Sequence, residues 1–181
     1  AFHAQTTDKL LLACANGRFY TLASDKLPGG RGFGEPVRLM VDLENETEIL
    51  ALLVARPGTK MLLASGDGRG FIASMGDMIA ETRKGKQIVN LRPGAKLAVV
   101  HPISAGADSV AVIGENRKLV VFALGELPEM ARGQGVQLQR YRDGGLSDAL
   151  AFALADGLSW AMGGETGRTR TETDLSMWRA A

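Results

Sequence analysis

The chain has 181 residues, enough for one domain with internal repeats and for a core that needs no disulfide or metal staple. Apolar residues make up 45% and charged residues 23%, which excludes wholesale disorder, and a formal charge of +1 means that any anion binding must come from local clustering. The single cysteine, Cys14, excludes an internal disulfide framework and fits a reducing compartment, and the longest apolar run, Ile49–Ala55, is far too short for a membrane-spanning helix.

Glycine is in excess, 23 of 181 residues against the usual 7% or so, which implies many tight turns between short strands. The N-terminal Ala-Phe-His-Ala-Gln has neither a basic lead nor a signal-peptide core, and the absence of an initiator Met reads as a piece of something longer. Lys9–Tyr20 (KLLLACANGRFY) predicts a β-hairpin, because Asn16-Gly17 suits a turn with positive φ at both central positions. The loop PGGRGFGEP follows, then two further runs, Val37–Asp42 and Ile49–Ala55.

The pattern then starts again. Lys60–Ile72 (KMLLASGDGRGFI) predicts a second hairpin at Asp67-Gly68, followed by TRKGKQ and the runs Gln87–Arg92 and Lys96–Pro102. Ser109–Val120 (SVAVIGENRKLV) begins a third unit, with ARGQGVQ, Val136–Tyr141 and Ala149–Leu154 after it. Leu158–Arg170 (LSWAMGGETGRTR) is a degenerate fourth. Anchored on Gly17, Gly68, Asn116 and Gly167, the intervals are 51, 48 and 51 residues. Ala149–Met162 reads either as strands or, from its Ala and Leu content, as a helix; Gly157 and the register of the other units favour strands.

Four strands per unit of about 50 residues is the period of an all-β, propeller-like fold whose blades cover one another's faces. The expectation is about twelve strands and a last hairpin near Leu158–Glu172, within one domain spanning 1–181. The repeats are 9–56, 60–103, 108–155 and a partial 157–181, about 3.5 to 4 blades. Either sequence outside this chain completes the first blade, or the ring is open.

A second feature keeps the period. Arg31-Gly32, Lys84-Gly85 and Arg132-Gly133 each lie 14 to 17 residues after a hairpin turn, at spacings of 53 and 48. Glycine permits close backbone approach to a partner, and the adjacent cation supplies a phosphate contact. The windows Pro28–Arg38, Glu81–Arg92 and Glu129–Arg142 carry net charges of +1, +3 and +2. The candidate anion contacts are Arg31, Arg38, Arg83, Lys84, Lys86, Arg132, Arg140 and Arg142. Alternation along Gln139–Arg142 places Arg140 and Arg142 on one strand face. Arg18, Arg69, Arg117 and Lys118 follow the hairpin turns and read either as turn support or as further contacts. The acidic cluster Asp42, Glu44, Glu46 and Glu48 would face elsewhere, as a solvated loop.

Catalytic signals are weak. His3 lies in a terminus and His101 ends an apolar run, and no His/Cys cluster has zinc spacing. Cys14, inside LLLACA, reads as a small buried hydrophobe, and Tyr20 and Tyr141 as packing or rim residues. GGRGFG joins two strands, whereas a dinucleotide fingerprint needs a strand-to-helix turn.

The recurring DGR/NGR turn with a basic glycine loop resembles the C-terminal β-pinwheel domain of bacterial type IIA topoisomerase A subunits. Those of DNA gyrase carry a strict Gln-Arg-Arg-Gly-Gly-Lys-Gly box; TRKGKQ and ARGQGVQ are degenerate versions, as in the topoisomerase IV A subunits (ParC). GRFYTL, PGGRGFGEPVRLM and GGETGRTRTETDL are similar to that branch too, so the resemblance covers essentially the whole chain. It implies a noncatalytic domain that binds and bends duplex DNA around a basic rim, helping the full enzyme decatenate and relax DNA. The cleaving tyrosine, the ATP and the Mg would belong to other domains, and this domain would need no cofactor. The implied partners are duplex DNA and, through other domains, the B subunit (ParE) and a second ParC; no membrane is implied, and the setting would be the bacterial cytoplasm, on the nucleoid. The alternative is a propeller-type protein-docking module, although the Trp-Asp and Gly-His signatures of WD and kelch repeats are absent and only 6% of residues are aromatic.

Overall fold

A computed structural model describes residues 1–30, 32–163 and 167–180. The expected hairpins form. β1 (Lys9–Cys14) pairs with β2 (Arg18–Ala23), and Ile49–Val54 (β3) lies on the other side of β1. The second unit repeats this with β4 (Lys60–Ser65), β5 (Arg69–Ser74) and β7 (Leu97–Pro102). The third does so with β8 (Ser109–Gly114), β9 (Leu119–Ala123) and β11 (Leu146–Phe152).

The fourth strand of each of the first two sheets is not supplied by its own unit. β6 (Lys86–Gln87), from the second unit, pairs with β2 of the first, and β10 (Val136–Gln137), from the third, pairs with β5 of the second. The sheets therefore run β3-β1-β2-β6 and β10-β5-β4-β7, followed by the three-stranded β11-β8-β9 and the hairpin of β12 (Leu158–Ala161) and β13 (Thr169–Glu172). Each loop-borne strand clips its blade to the blade before it.

This exchange corrects the expected runs. Gln87–Arg92 and Val136–Tyr141 contribute only two-residue strands, because the chain then turns under the preceding hairpin: Ile88 and Val89 both donate to the Gly17 carbonyl at 3.1 Å, and Leu138 to that of Gly68 at 2.8 Å. Val37–Asp42 forms no strand. Pro36 precedes a 3-10 turn at Val37–Leu39, and the free edge of β2 is already taken by β6. The helical alternative at Ala149–Met162 gives way to β11, a single 3-10 turn at Leu154–Asp156, and β12.

Two faces per sheet explain the apolar runs, which lack clean alternation because both sides are covered. Leu11, Ala13 and Phe19 of the first sheet pack on Met61, Leu63 and Phe71 of the second, with Ile88 and Leu97 between them. Leu62, Ala64 and Ile72, on the opposite face, meet Val110 and Val112 of the third sheet. The outer face of the first sheet (Leu10, Leu12, Tyr20 and Leu22) is covered by Val37, Met40 and Val41 of its own unit. Backbone hydrogen bonds carry the ladder from sheet to sheet: Leu97 N to Ala15 O at 2.8 Å, Gly66 N to Lys96 O at 2.8 Å and Leu146 N to Gly66 O at 2.8 Å.

Candidate nucleic-acid interface

The glycine loops are held by steric fit. Gly85 (φ 65°) and Gly135 (φ 71°) occupy equivalent places, and a Cβ on either would overlap the carbonyl oxygen of the strand beneath, Phe19 or Gly70. Only glycine lets the loop lie that close. This equivalence shifts the alignment. Gly85 matches Gly135, not Gly133, so Lys84 matches Gln134 and Lys86 matches Val136, while Arg132 falls at the place of Thr82. Glycine recurs strictly at this corner; the cation beside it moves.

The corners nevertheless form one edge. β6 and β10 both attach to the second hairpin strand, and a further joint links loop to loop. Asp42 N donates to Arg83 O at 2.9 Å, and Asn90 N donates to Gly133 O at 2.8 Å, so the exit of each loop lies against the next loop. The result is a continuous rim from the first unit through the third. Arg38, Arg83, Lys84, Lys86 and Arg132 are exposed on these loops, and Arg140 and Arg142 are exposed on the chain that leaves the third loop. Arg31 lies outside the described residues.

Their freedom differs. Arg83 is engaged, with Nε on Asp42 at 3.2 Å and a terminal nitrogen on Leu39 O at 2.9 Å, and Lys86 Nζ reaches Asp77 O at 3.2 Å. Lys84, Arg132, Arg140 and Arg142 have no ion pair among the described residues. Arg140 and Arg142 are both exposed, but they lie on irregular chain and not on the expected strand, since β10 ends at Gln137. Tyr141 between them turns inward, its ring against Gly68 and Gly114. The Tyr141 hydroxyl is buried without a partner among the described residues, and burial pushes its pKa up to about 12.

Arg18 and Arg69 both make contacts that support the turns. Arg18 Nε donates to Lys84 O at 2.6 Å, and an Arg69 terminal nitrogen to Gly135 O at 3.0 Å, each tying a hairpin to the next unit's loop. Arg117 is not their counterpart. It occupies the turn position of Gly17 and Gly68 with φ 64°, donating its amide to Gly114 O at 2.9 Å, and Lys118 takes the place of Arg18. Both are exposed.

Sequence reasoning missed Gln87 and Gln137. Gln87 Nε2 donates to Asn16 O and Val89 O, both at 2.8 Å; Gln137 Nε2 donates to Gly68 O at 3.2 Å and Gln139 O at 2.6 Å. Each carboxamide locks a loop strand to the preceding turn. The signal was present as Gly-x-Gln at a spacing of 50 residues.

The acidic segment does not face away from the rim throughout, since Asp42 pairs with Arg83 and Glu48 with Lys96 at 3.6 Å. Cys14 is fully buried, its thiol pushed up to about 11 by desolvation. His101 sits at an exposed strand edge, 3.2 Å from Asp148. No group of three or more His, Cys, Asp or Glu could hold a metal ion among the described residues. No helix among them is long and apolar enough to cross a membrane.

Comparison with known proteins agrees with this architecture. A family model described as DNA gyrase C-terminal domain, beta-propeller, matches residues 59–104 and 108–154, the second and third units. The DNA topoisomerase 4 A subunit of Caulobacter vibrioides is 43% identical over 176 residues, covering 97% of this chain and 22% of that protein. The Rickettsia bellii protein of the same name is 44% identical over 162 residues, covering 90% of this chain and 22% of that protein. This chain thus spans about a fifth of the length of these curated relatives. Among solved structures, the E. coli ParC C-terminal domain superposes with a TM-score of 0.85 at 20% identity, over 98% of this chain and 75% of that one.

Proposed function

Since this chain belongs to the DNA gyrase C-terminal domain, beta-propeller family, as found in the A subunits of DNA topoisomerase 4, we propose that its basic rim binds and bends duplex DNA. The observation that carries the reading is the continuous loop-to-loop edge on which Lys84 and Arg132 stand exposed, with Arg140 and Arg142 exposed on the chain that leaves the third loop, all four without ion pairs among the described residues. Cations at successive corners of stacked blades meet successive phosphates of a rod-like polyanion, and following the rim requires the rod to curve. Such contacts set position and register and do not read bases, so binding is largely independent of sequence.

The domain acts by holding DNA. In the complete enzyme it presents a duplex to the strand-passing machinery, supporting decatenation and relaxation. The catalytic tyrosine, ATP and Mg are supplied by other domains, which also provide the contacts with ParE and with a second ParC. The setting is the bacterial cytoplasm, on the nucleoid.

The test is a salt titration of the 181-residue chain on arbitrary duplex DNA, read by fluorescence anisotropy. Affinity falls with salt at a slope of about −0.9 per phosphate contacted, and Lys84, Lys86 and Arg132 all reversed to Glu flatten that slope by about 3. Unchanged affinity and slope after the triple reversal overturn the assignment of these loops.

A further inference from the structure

Phe33 stands apart from every other aromatic side chain in the described structure. Phe19, Tyr20 and Phe71 are fully buried and Phe152 is nearly so, Phe2 and Trp160 are exposed at 49% and 41%, and Phe33 is fully exposed, at 111%. A ring left wholly in water contributes no burial energy to the fold. The loop holds it out. Gly32 (φ 119°) and Gly34 (φ 76°) flank it, and nothing lies within 4 Å of a Cβ built on either, so the tip stands off the body of the domain.

Its place is not arbitrary. Phe33 precedes a positive-φ Gly34 as Lys84 precedes Gly85 and Gln134 precedes Gly135, so in sequence order the three units carry a phenyl, an ammonium and a carboxamide before that glycine; unlike Gly85 and Gly135, Gly34 is not seated on a strand. Glu35, Leu39 and Met40 of the Phe33 loop line the same cleft, of about 590 Å³, as Thr82 and Arg83 of the Lys84 loop. Arg38 stands exposed on the same segment. A duplex drawn to Lys84 and Arg38 by its phosphates therefore passes an uncovered aromatic ring.

We propose that Phe33 is an apolar wedge that enters a base step of the bound duplex and fixes a bend at the first blade. This rests on the DNA-binding reading and adds a mode to it. Wedges of Phe, Leu, Ile or Met between base steps unstack them locally and kink the duplex, at a cost offset by the extra protein surface the bent DNA then meets. The cations attract the duplex without regard to sequence, and the ring settles most easily at flexible pyrimidine–purine steps. Bend position thus acquires a preference that the phosphate contacts lack.

The experiment uses the 181-residue chain with a short duplex carrying 2-aminopurine at a central TA step and a fluorophore pair at its ends. Binding of the parent raises 2-aminopurine emission, as that base unstacks, and shortens the end-to-end distance. Phe33→Ala loses the emission rise and most of the shortening and weakens binding by about five- to 150-fold, the range for losing one aromatic–base stack, with the salt slope unchanged. Phe33→Trp retains both signals. If Phe33→Ala binds and bends DNA as the parent does while the Lys84/Lys86/Arg132 reversal still weakens binding and flattens the salt slope, the wedge is refuted and the rim stands. If the parent binds no duplex at all, the functional reading falls and the wedge with it.

Discussion

The fit of Gly85 against Phe19 makes a paired substitution informative. Gly85 and Gly94 both have positive φ, 65° and 80°, so alanine at either is strained by about 1–2 kcal/mol and gains the same small advantage from a less flexible unfolded chain. They differ in surroundings. Around Gly94 no atom lies within 4 Å, while at Gly85 the new methyl overlaps the Phe19 carbonyl and sits 2.8 Å from the Tyr20 ring. Phe19 is fully buried and paired with Ala13 of β1, so it cannot yield and β6 must lift. That strains or breaks the Arg18–Lys84 O bond, the bonds of Gln87 Nε2, and the two amide bonds to Gly17 O. At about 1 kcal/mol for each net hydrogen bond, three or so lost bonds bring Gly85→Ala to roughly 4–5 kcal/mol. Urea unfolding followed by circular dichroism measures both variants. Gly94→Ala shifts the midpoint slightly and leaves DNA affinity alone; Gly85→Ala shifts it severely and displaces Lys84 and Lys86. Equal losses within about 0.5 kcal/mol would show that the loop is not seated on β2 and would refute the clip.

Two further expectations follow from titratable groups. Burial raises the Cys14 thiol from 9.0 to about 11, so the unfolded chain ionises first; this contribution to stability is whole below pH 9.0 and is lost as pH climbs toward 11. A pH series of unfolding midpoints shows that loss in the parent and not in Cys14→Ala, and a disulfide reagent at about pH 8 labels Cys14 only in denaturant. The Asp108 carboxylate accepts from Leu154 N at 2.8 Å and from the Ser109 hydroxyl at 2.9 Å, which hold it below its ordinary 3.8. Its contribution is complete above that value and disappears as pH falls beneath it, so Asp108→Asn flattens the acid limb of thermal midpoint against pH; an unaltered limb would remove Asp108 from the joint between β8 and the turn after β11.

Much of the fold is local and therefore readable. Asn16-Gly17 and Asp67-Gly68 demand positive φ whatever surrounds them, and the apolar runs beside them are the right length for strands. Repetition of those signals at nearly equal intervals identified stacked blades, and the basic loops were visible because charge and glycine are properties of residues.

Which residues become equivalent was decided only by the folded contacts. Arg117 carries a guanidinium like Arg18 and Arg69, yet positive φ puts it in the turn itself, and the true counterpart is Lys118. Arg132-Gly133 looked like Lys84-Gly85 until packing against Gly70 selected Gly135. Composition establishes that a short strand exists; the available sheet edge determines where it pairs, and β6 and β10 pair backward, with the preceding blade. Hydrogen-bonding edges belong to the assembled sheets, so no window along the chain could reveal that exchange or the continuous rim it builds.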